Sequence, residues 1–214
     1  MNINSYYYIY IEVVTYISAV VGNVWTTGWN RYGQLGDGTV IDKIKFVRVI
    51  AHGPKAFAVA AGDIHSVVLK QDGSVWATGR NHKGQLGDGS TVDRNEFVKA
   101  MDSGAVHVAA GGYHSMVLKR DGSVWVTGCN EYGQLGDKSI KDRSNYVQAM
   151  SSGAQAIAAG SRHSMILKQD GSVWATGYNA YGQLGDGSTM NSHAFMQVIL
   201  KVTVFSFSIC ILLL

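Results

Sequence analysis

Proline is nearly missing from this 214-residue chain: Pro54 is the only one. Charge is also sparse, at 15% of residues, and the balance of +3 is spread without a basic run. That pattern gives no electrostatic footprint for nucleic acid. The two cysteines, Cys129 and Cys210, imply no disulfide framework. Free thiols fit a reducing compartment, cytoplasmic or nuclear. No Lys or Arg precedes Arg31, and Glu12 interrupts the apolar N-terminal run, which argues against a secretory signal. The uncharged C-terminal run from Val202 to Leu214 is short of the roughly 20 residues that span a bilayer. A membrane partner is therefore not expected. A tail anchor stays open beside a terminal strand, or a tail foreign to the rest.

Glycine, by contrast, is abundant, at 26 residues. Much of it sits in one recurring string. Gly73-Ser-Val-Trp-Ala-Thr-Gly79, followed by Gly84-Gln-Leu-Gly-Asp88, returns at 122–137 and 171–186, and in a worn form from Gly22. Its tryptophans are Trp25, Trp76, Trp125 and Trp174, at steps of 51, 49 and 49. A fixed period of this size signals one small unit stacked in an array.

Each unit reads as four short strands. In the second copy these are Lys55–Gly62, His65–Lys70, Ser74–Gly79 and Phe97–Ala100, the last with counterparts beginning at Phe46, Tyr146 and Phe195. The Asp-Gly pairs at 72–73, 121–122 and 170–171 predict tight hairpins of type I′. Along His65–Lys70 both side-chain sets contain apolar residues, as a strand packed on both faces requires. Four strands in about 50 residues make a propeller blade. The expected fold is all-β, a partial, open propeller of about four four-stranded blades, the first degenerate. The blades are placed at approximately 6–50, 55–100, 104–150 and 154–198. Residues 1–21 read as worn strands or a cap, and 199–214 as an apolar tail. The small Ala-Ala-Gly runs suit the innermost strand. Trp25 and its equivalents should be buried between blades, each indole N–H finding an acceptor.

His65, His114 and His163 fall at equivalent places on successive blades. That separation is too wide for one metal ion, whose Zn–N bonds are about 2 Å. A hydrogen bond to a neighbouring loop backbone is the expected role. His65 and Ser66 point to opposite faces of one strand, so they cannot pair as nucleophile and base. The glycine loop lacks the Gly-Lys-Ser/Thr ending of a phosphate-binding loop, and Asp88 has no alternating carboxylate ladder for Ca²⁺. No catalytic, metal or cofactor site is therefore expected. Gly84 and Gly87 read as left-handed turn residues, Leu86 as a plug, and Gln85 as a ligand of its own loop.

The string Ala-Ala-Gly-x-x-His-Ser-x-x-Leu-Lys-x-Asp-Gly-Ser-Val-Trp-x-Thr-Gly-x-Asn-x-x-Gly-Gln-Leu-Gly-Asp, at 60–88, 109–137 and 158–186, resembles the regulator-of-chromosome-condensation repeat. The resemblance covers 22–198. It implies a β-propeller, usually of seven blades, of which four units supply just over half. The family's founding protein is an exchange factor for a small nuclear GTPase. Exchange there needs a protruding wedge, and the uniform steps here leave no room for one. The basic N-terminal tail that serves nucleosome binding in the family has no counterpart. The photoreceptor branch carries tryptophan two places before the repeat histidine, where this chain has Asp63, Gly112 and Ser161.

What varies between copies is the loop tip after the Thr-Gly turn. It reads Trp29-Asn-Arg-Tyr32, Arg80-Asn-His-Lys83, Cys129-Asn-Glu-Tyr132 and Tyr178-Asn-Ala-Tyr181. In a repeat scaffold such tips line one rim and choose the partner. The candidate partner-binding residues are Trp29, Arg31, Tyr32, Arg80, His82, Lys83, Glu131, Tyr132, Tyr178 and Tyr181. The expected function is a non-catalytic protein-interaction scaffold with a protein partner. Exchange or regulation of a small GTPase within a larger or composite propeller is the alternative, and a fragment without independent function is another. Bare end blades also predict self-association.

Overall fold

The computed structural model describes residues 16–18, 23–49 and 54–200. Most of the N-terminal segment 1–21, and the apolar tail beyond Leu200, lie outside the described residues. Among the described residues there are fifteen strands and no helix. The first sheet holds β1 (Tyr16–Ser18), β2 (Asn23–Gly28) and β3 (Lys43–Val49). The second holds β4 (Ala56–Ala61), β5 (His65–Lys70), β6 (Val75–Gly79) and β7 (Arg94–Met101). The third holds β8 (Ala105–Ala110), β9 (His114–Lys119), β10 (Val124–Gly128) and β11 (Arg143–Met150). The fourth holds β12 (Ala154–Ala159), β13 (His163–Lys168), β14 (Val173–Gly177) and β15 (Ser192–Ile199). Among the described residues every strand pairing is antiparallel between consecutive strands, and no sheet closes on itself. The chain is an all-β, open arc of propeller blades.

Side-chain alternation sorts each second strand between two neighbours. Val67 and Leu69 join Ala105, Val108 and Val117 of the third sheet in one cluster. Val68, on the opposite face, joins Val24 and Val49 of the first. Met116 and Leu118 look forward in turn to Ala154, Ile157 and Ile166. A strand buried on both faces needs apolar residues in both registers, which these sequences supply. The inner strands are alanine-rich because they crowd: a Cβ on Gly62 would strike the Gly111 carbonyl and the His65 ring.

A polar clasp completes each junction. Ser66 Oγ donates to Gln34 O at 2.7 Å, Ser115 Oγ to Gln85 O at 2.8 Å, and Ser164 Oγ to Gln134 O at 2.7 Å. In each case the serine reaches back to the loop of the preceding sheet. His65 Nε2 lies 2.9 Å from Ser115 Oγ, and His114 Nε2 lies 2.9 Å from Ser164 Oγ. Since the hydroxyl proton goes to the carbonyl, the ring must donate, so Nε2 carries the hydrogen. Thr78 Oγ1 adds a bond to Gly33 O, and Thr127 and Thr176 repeat it to Gly84 O and Gly133 O, each at 2.9 Å. The histidine partner is thus the next sheet's serine, not the loop backbone expected from sequence. The serine takes the loop contact instead.

Three other details depart from the sequence reading. Among the Asp-Gly pairs only the glycine has positive φ (78° at Gly73), so the hairpin is not type I′. Gly73 N donates to Lys70 O and Lys70 N to Ser74 O, each at 2.9 Å: a type I turn closed by a glycine bulge. Asp72 Oδ1 caps it, accepting from Ser74 N at 2.9 Å and Ser74 Oγ at 2.7 Å. The fourth strand of each four-stranded sheet begins three residues before its aromatic. Residues such as Arg94–Glu96 carry no apolar signal, but the preceding sheet's loop pairs with them, as in the Asp37–Glu96 bridge. Trp76, Trp125 and Trp174 are half-buried rather than buried. Each indole Nε1 donates to the serine two residues earlier at 2.9–3.0 Å, and each ring lies under the ammonium of Lys70, Lys119 or Lys168.

Two stability predictions follow from these packing features. Lys138 (φ 64°) occupies the left-handed position that Gly38, Gly89 and Gly187 fill elsewhere. Lys138→Gly should raise the unfolding free energy by about 1 kcal/mol in urea titration. Burial holds His65 down to about 4, and burial followed by repulsion from His65 and His163 holds His114 down to about 3. Both stay neutral in the fold but take up a proton near pH 6.5 when unfolded. Stability is therefore complete above about pH 6.5 and falls as pH drops toward 4, by up to ~1.4 kcal/mol per pH unit for each histidine. Denaturant titrations across that window should show the slope, shallower in His65→Gln.

Candidate partner-binding rim

Each sheet has two ends. At one, the turn before the repeat histidine meets the long glycine loop, because His65 pairs with Gly79, His114 with Gly128 and His163 with Gly177. The variable tips all emerge at this end. Below each tip lies a buried asparagine. Asn81 Nδ2 donates to Asp88 Oδ1 at 3.1 Å and Ser90 O at 3.0 Å, while its Oδ1 accepts from Leu86 N at 3.0 Å. Asn30, Asn130 and Asn179 repeat this arrangement. Burial alone would raise the Asp88 pKa. Hydrogen bonds from Ser90, Arg94 and Asn81 outweigh it and hold the carboxylate below its ordinary value. The loop base is rigid, so the tips are free to differ.

The tips form a chain of rings and cations. Trp29 and Tyr32 meet edge to face with centroids 5.4 Å apart, and the Arg80 guanidinium lies 4.4 Å from the Tyr32 centroid. His82 meets Tyr113 at 5.6 Å. Tyr132 packs on Tyr178 at 4.9 Å, and Tyr178 meets Tyr181 at 6.1 Å. Arg162 sits 5.3 Å from the Tyr132 ring and 5.9 Å from that of Tyr178. Lys83 Nζ bonds Asp142 Oδ2 at 3.0 Å, a contact that raises the lysine's pKa. Burial lowers the His82 pKa, and the neighbouring Arg80 and Lys83 push the same way. Arg31 and Glu131 are exposed and stand outside these ring contacts.

Two members of this surface, Tyr113 and Arg162, were missed in the sequence reading. They directly precede His114 and His163, where the second copy has Ile64. That variation between copies was the available signal. A row of exposed apolar side chains at the far end of each loop, Val40 and Ile41, Val92, Ile140 and Met190, was also unremarked. Asn30 Nδ2 donates to Ile41 O at 3.2 Å, which holds this second row beside the first tip. The remaining positions are interior. Leu86 is fully buried at the junction of the second and third sheets. Gly84 and Gly87 have φ of 78° and 71° and also lie against the third sheet, where a Cβ would strike Ser144 or the Tyr146 ring. Gln85 Oε1 accepts from Lys83 N at 3.0 Å. Trp25 is the most exposed of the repeat tryptophans. The His65–Ser115 and His114–Ser164 pairs are closed to solvent. Among the described residues no three His, Cys, Asp or Glu side chains cluster as metal ligands.

A family model described as the regulator of chromosome condensation (RCC1) repeat matches residues 21–69, 72–118 and 121–167. A second model of the same repeat matches 58–85, 105–134 and 154–183. The chain belongs to the RCC1 repeat family.

Within this family, the chain is 36% identical over 83 residues to the ultraviolet-B receptor UVR8 of Arabidopsis thaliana, covering 38% of this chain and 19% of that protein. It is 37% identical over 90 residues to the human E3 ubiquitin-protein ligase HERC2, covering 40% and 2%. It is 41% identical over 83 residues to the human X-linked retinitis pigmentosa GTPase regulator, covering 37% and 8%. The chain thus spans a fifth or less of these relatives. Human WBSCR16 superposes with a TM-score of 0.78 at 21% identity, over 88% of this chain and 51% of that one. Yeast RCC1 (Prp20), solved bound to Kap60, superposes with a TM-score of 0.72 at 19% identity, over 82% and 45%. At these identities the solved structures establish the fold.

Lys83→Ala should lower the unfolding free energy by less than about 1 kcal/mol, because the exposed ion pair with Asp142 is screened by water. Parallel denaturation of wild type and variant checks this.

Proposed function

We propose that this chain is a non-catalytic protein-interaction scaffold that engages its partner through the loop rim. One observation carries the reading. Four unlike tips on a uniform framework converge into a ladder of Trp, Tyr and Arg side chains, the types that dominate binding energy at protein interfaces. Tyr181, at 88% exposure, and Trp29, at 38%, leave aromatic area uncovered. The exposed apolar row of Val40, Val92, Ile140 and Met190 extends the same surface. Both signs of charge are present, with Arg31 and Arg162 against Glu131, so the partner is recognised by shape and ring contacts more than by net charge.

Regulation of a small GTPase is the second reading, and the name of one relative carries it. Among the described residues it draws no support from a protruding segment, since the three complete sheets have loops of matching length.

The test places a photo-crosslinking residue at Tyr181, or at Gln71 on the opposite end, in the full chain within cells that express it. The rim position should give a discrete adduct. Adding Arg80→Glu and Arg162→Glu should reduce it by about tenfold or more, as loss of interface anchors worth about 2 kcal/mol predicts. Equal labelling from both ends would refute the rim reading. Nucleotide release from a GTPase by the purified chain would favour the second.

A further inference from the structure

Three junctions repeat one contact and thereby define what a fourth would need. Gly38 N donates to Asn95 O, Gly89 N to Ser144 O and Lys138 N to His193 O, each at 2.9 Å. Isolated bridges pair Asp37 with Glu96, Asp88 with Asn145 and Asp137 with Ala194. Two glycines per loop make room. A Cβ on Gly36, Gly87 or Gly136 would strike the ring of Phe97, Tyr146 or Phe195, and one on Gly33, Gly84 or Gly133 would strike the next sheet's outer strand. The fourth loop keeps Gly182, Gly185 and Gly187 in the same left-handed conformation, yet a Cβ on any of them meets nothing within 4 Å. The forward-facing His163, Met165 and Leu167 of β13 are correspondingly half-buried, whereas His114, Met116 and Leu118 of β9 are buried.

The first sheet presents the complementary half. Asn95, Glu96 and Phe97 correspond to Ile44, Lys45 and Phe46. Ile44 is 97% exposed, and Phe46 is 47% exposed against 8% for Phe97. Thr27 Oγ1 already donates to Lys43 O at 2.8 Å, as Thr78 does to Arg94 O at 2.9 Å, so it stands in register for a second carbonyl. The charges also match. Asp37, Asp88 and Asp137 pair with Lys43, Arg94 and Arg143, but beside Asp186 that position is Ser192. In the repeated register, Lys45 would lie opposite Asp186 across the bridge and supply the missing cation.

We propose that the forward side of the fourth sheet docks the first sheet of a second copy of this chain, head to tail, through loop 182–187 and β3. The contact is heterologous, so both copies keep one unused face unless the assembly closes into a ring. It goes beyond the rim reading and does not rest on it.

Sedimentation velocity on the full chain tests this with two variants. Gly182→Asn with Gly185→Asn blocks the tail. Asparagine tolerates positive φ and the space is open, so the fold is kept while an incoming sheet is obstructed. Ile44→Asp blocks the head at a nearly fully exposed site, placing a charge where Asn95 meets Gly33 and Gly38 at the first junction and where Ile44 would meet Gly182 and Gly187. Wild type should grow in mass with concentration. Each variant should raise the dissociation constant by at least about tenfold, and the two mixed should form a one-to-one pair and nothing larger. Circular dichroism matching wild type certifies folding, and Lys45→Asp is a second head variant should Ile44→Asp misfold. A wild-type monomer at every concentration up to about 100 μM would overturn the proposal. So would unchanged association of the tail variant, or failure of the two variants to pair.

Discussion

One hydroxyl, repeated, holds this structure in register. Ser115 accepts from His65 on the sheet behind it and donates to the Gln85 carbonyl of that same sheet's loop. Apolar burial supplies most of the free energy at each junction, but it is non-directional and would tolerate sheets sliding past one another. The clasp does not tolerate sliding. Both of its partners are fully buried, and shifting one sheet by a residue would leave a ring N–H and a carbonyl without bonds, at about 1–3 kcal/mol each. Ser164 imposes the same constraint with His114 and the Gln134 carbonyl, and Ser66 keeps the carbonyl half of it, to Gln34.

From that constraint the rest of the unit can be understood. The histidine needs a seat, and Gly62, Gly111 and Gly160 provide it, because any Cβ there would strike the imidazole. The loop must present its carbonyl at a fixed place, so it is braced by the buried asparagine and by the aspartate it bonds. Phe97, Tyr146 and Phe195 then close the lid over the glycines, each ring lying where a side chain would otherwise stand. Several repeated letters, His65, Ser66, Thr78 and the loop glycines among them, are spent on contact with a neighbouring unit. The tip side chains meet across units only at the surface, as Arg80 meets Tyr32, and that leaves them free to differ.

Much of the architecture was legible in the amino-acid string. Period, strand identity and two-faced burial follow from spacing and alternation, which are local properties. The misreadings share a cause. The histidine's partner lies 50 residues away, the early start of β7 is specified by a loop of the preceding sheet, and the aromatic chain joins residues such as Tyr113 and His82 from different sheets. No pattern within one unit reports those contacts. The turn at Asp72-Gly73 is a local error. The pair suits two hairpin types, and Ser74, which caps Asp72 and receives the indole proton of Trp76, selects the bulged one. At the rim, variation between copies identified the tips but understated the surface, since Arg162 and Tyr113 sit in a different turn.

A module whose leading and trailing sides are complementary has a consequence for how such chains arise. Unequal recombination that copies or deletes one whole repeat leaves every clasp matched, whereas a single-residue insertion within a strand reverses its inside and outside. Length change is therefore quantised at roughly fifty residues for the framework.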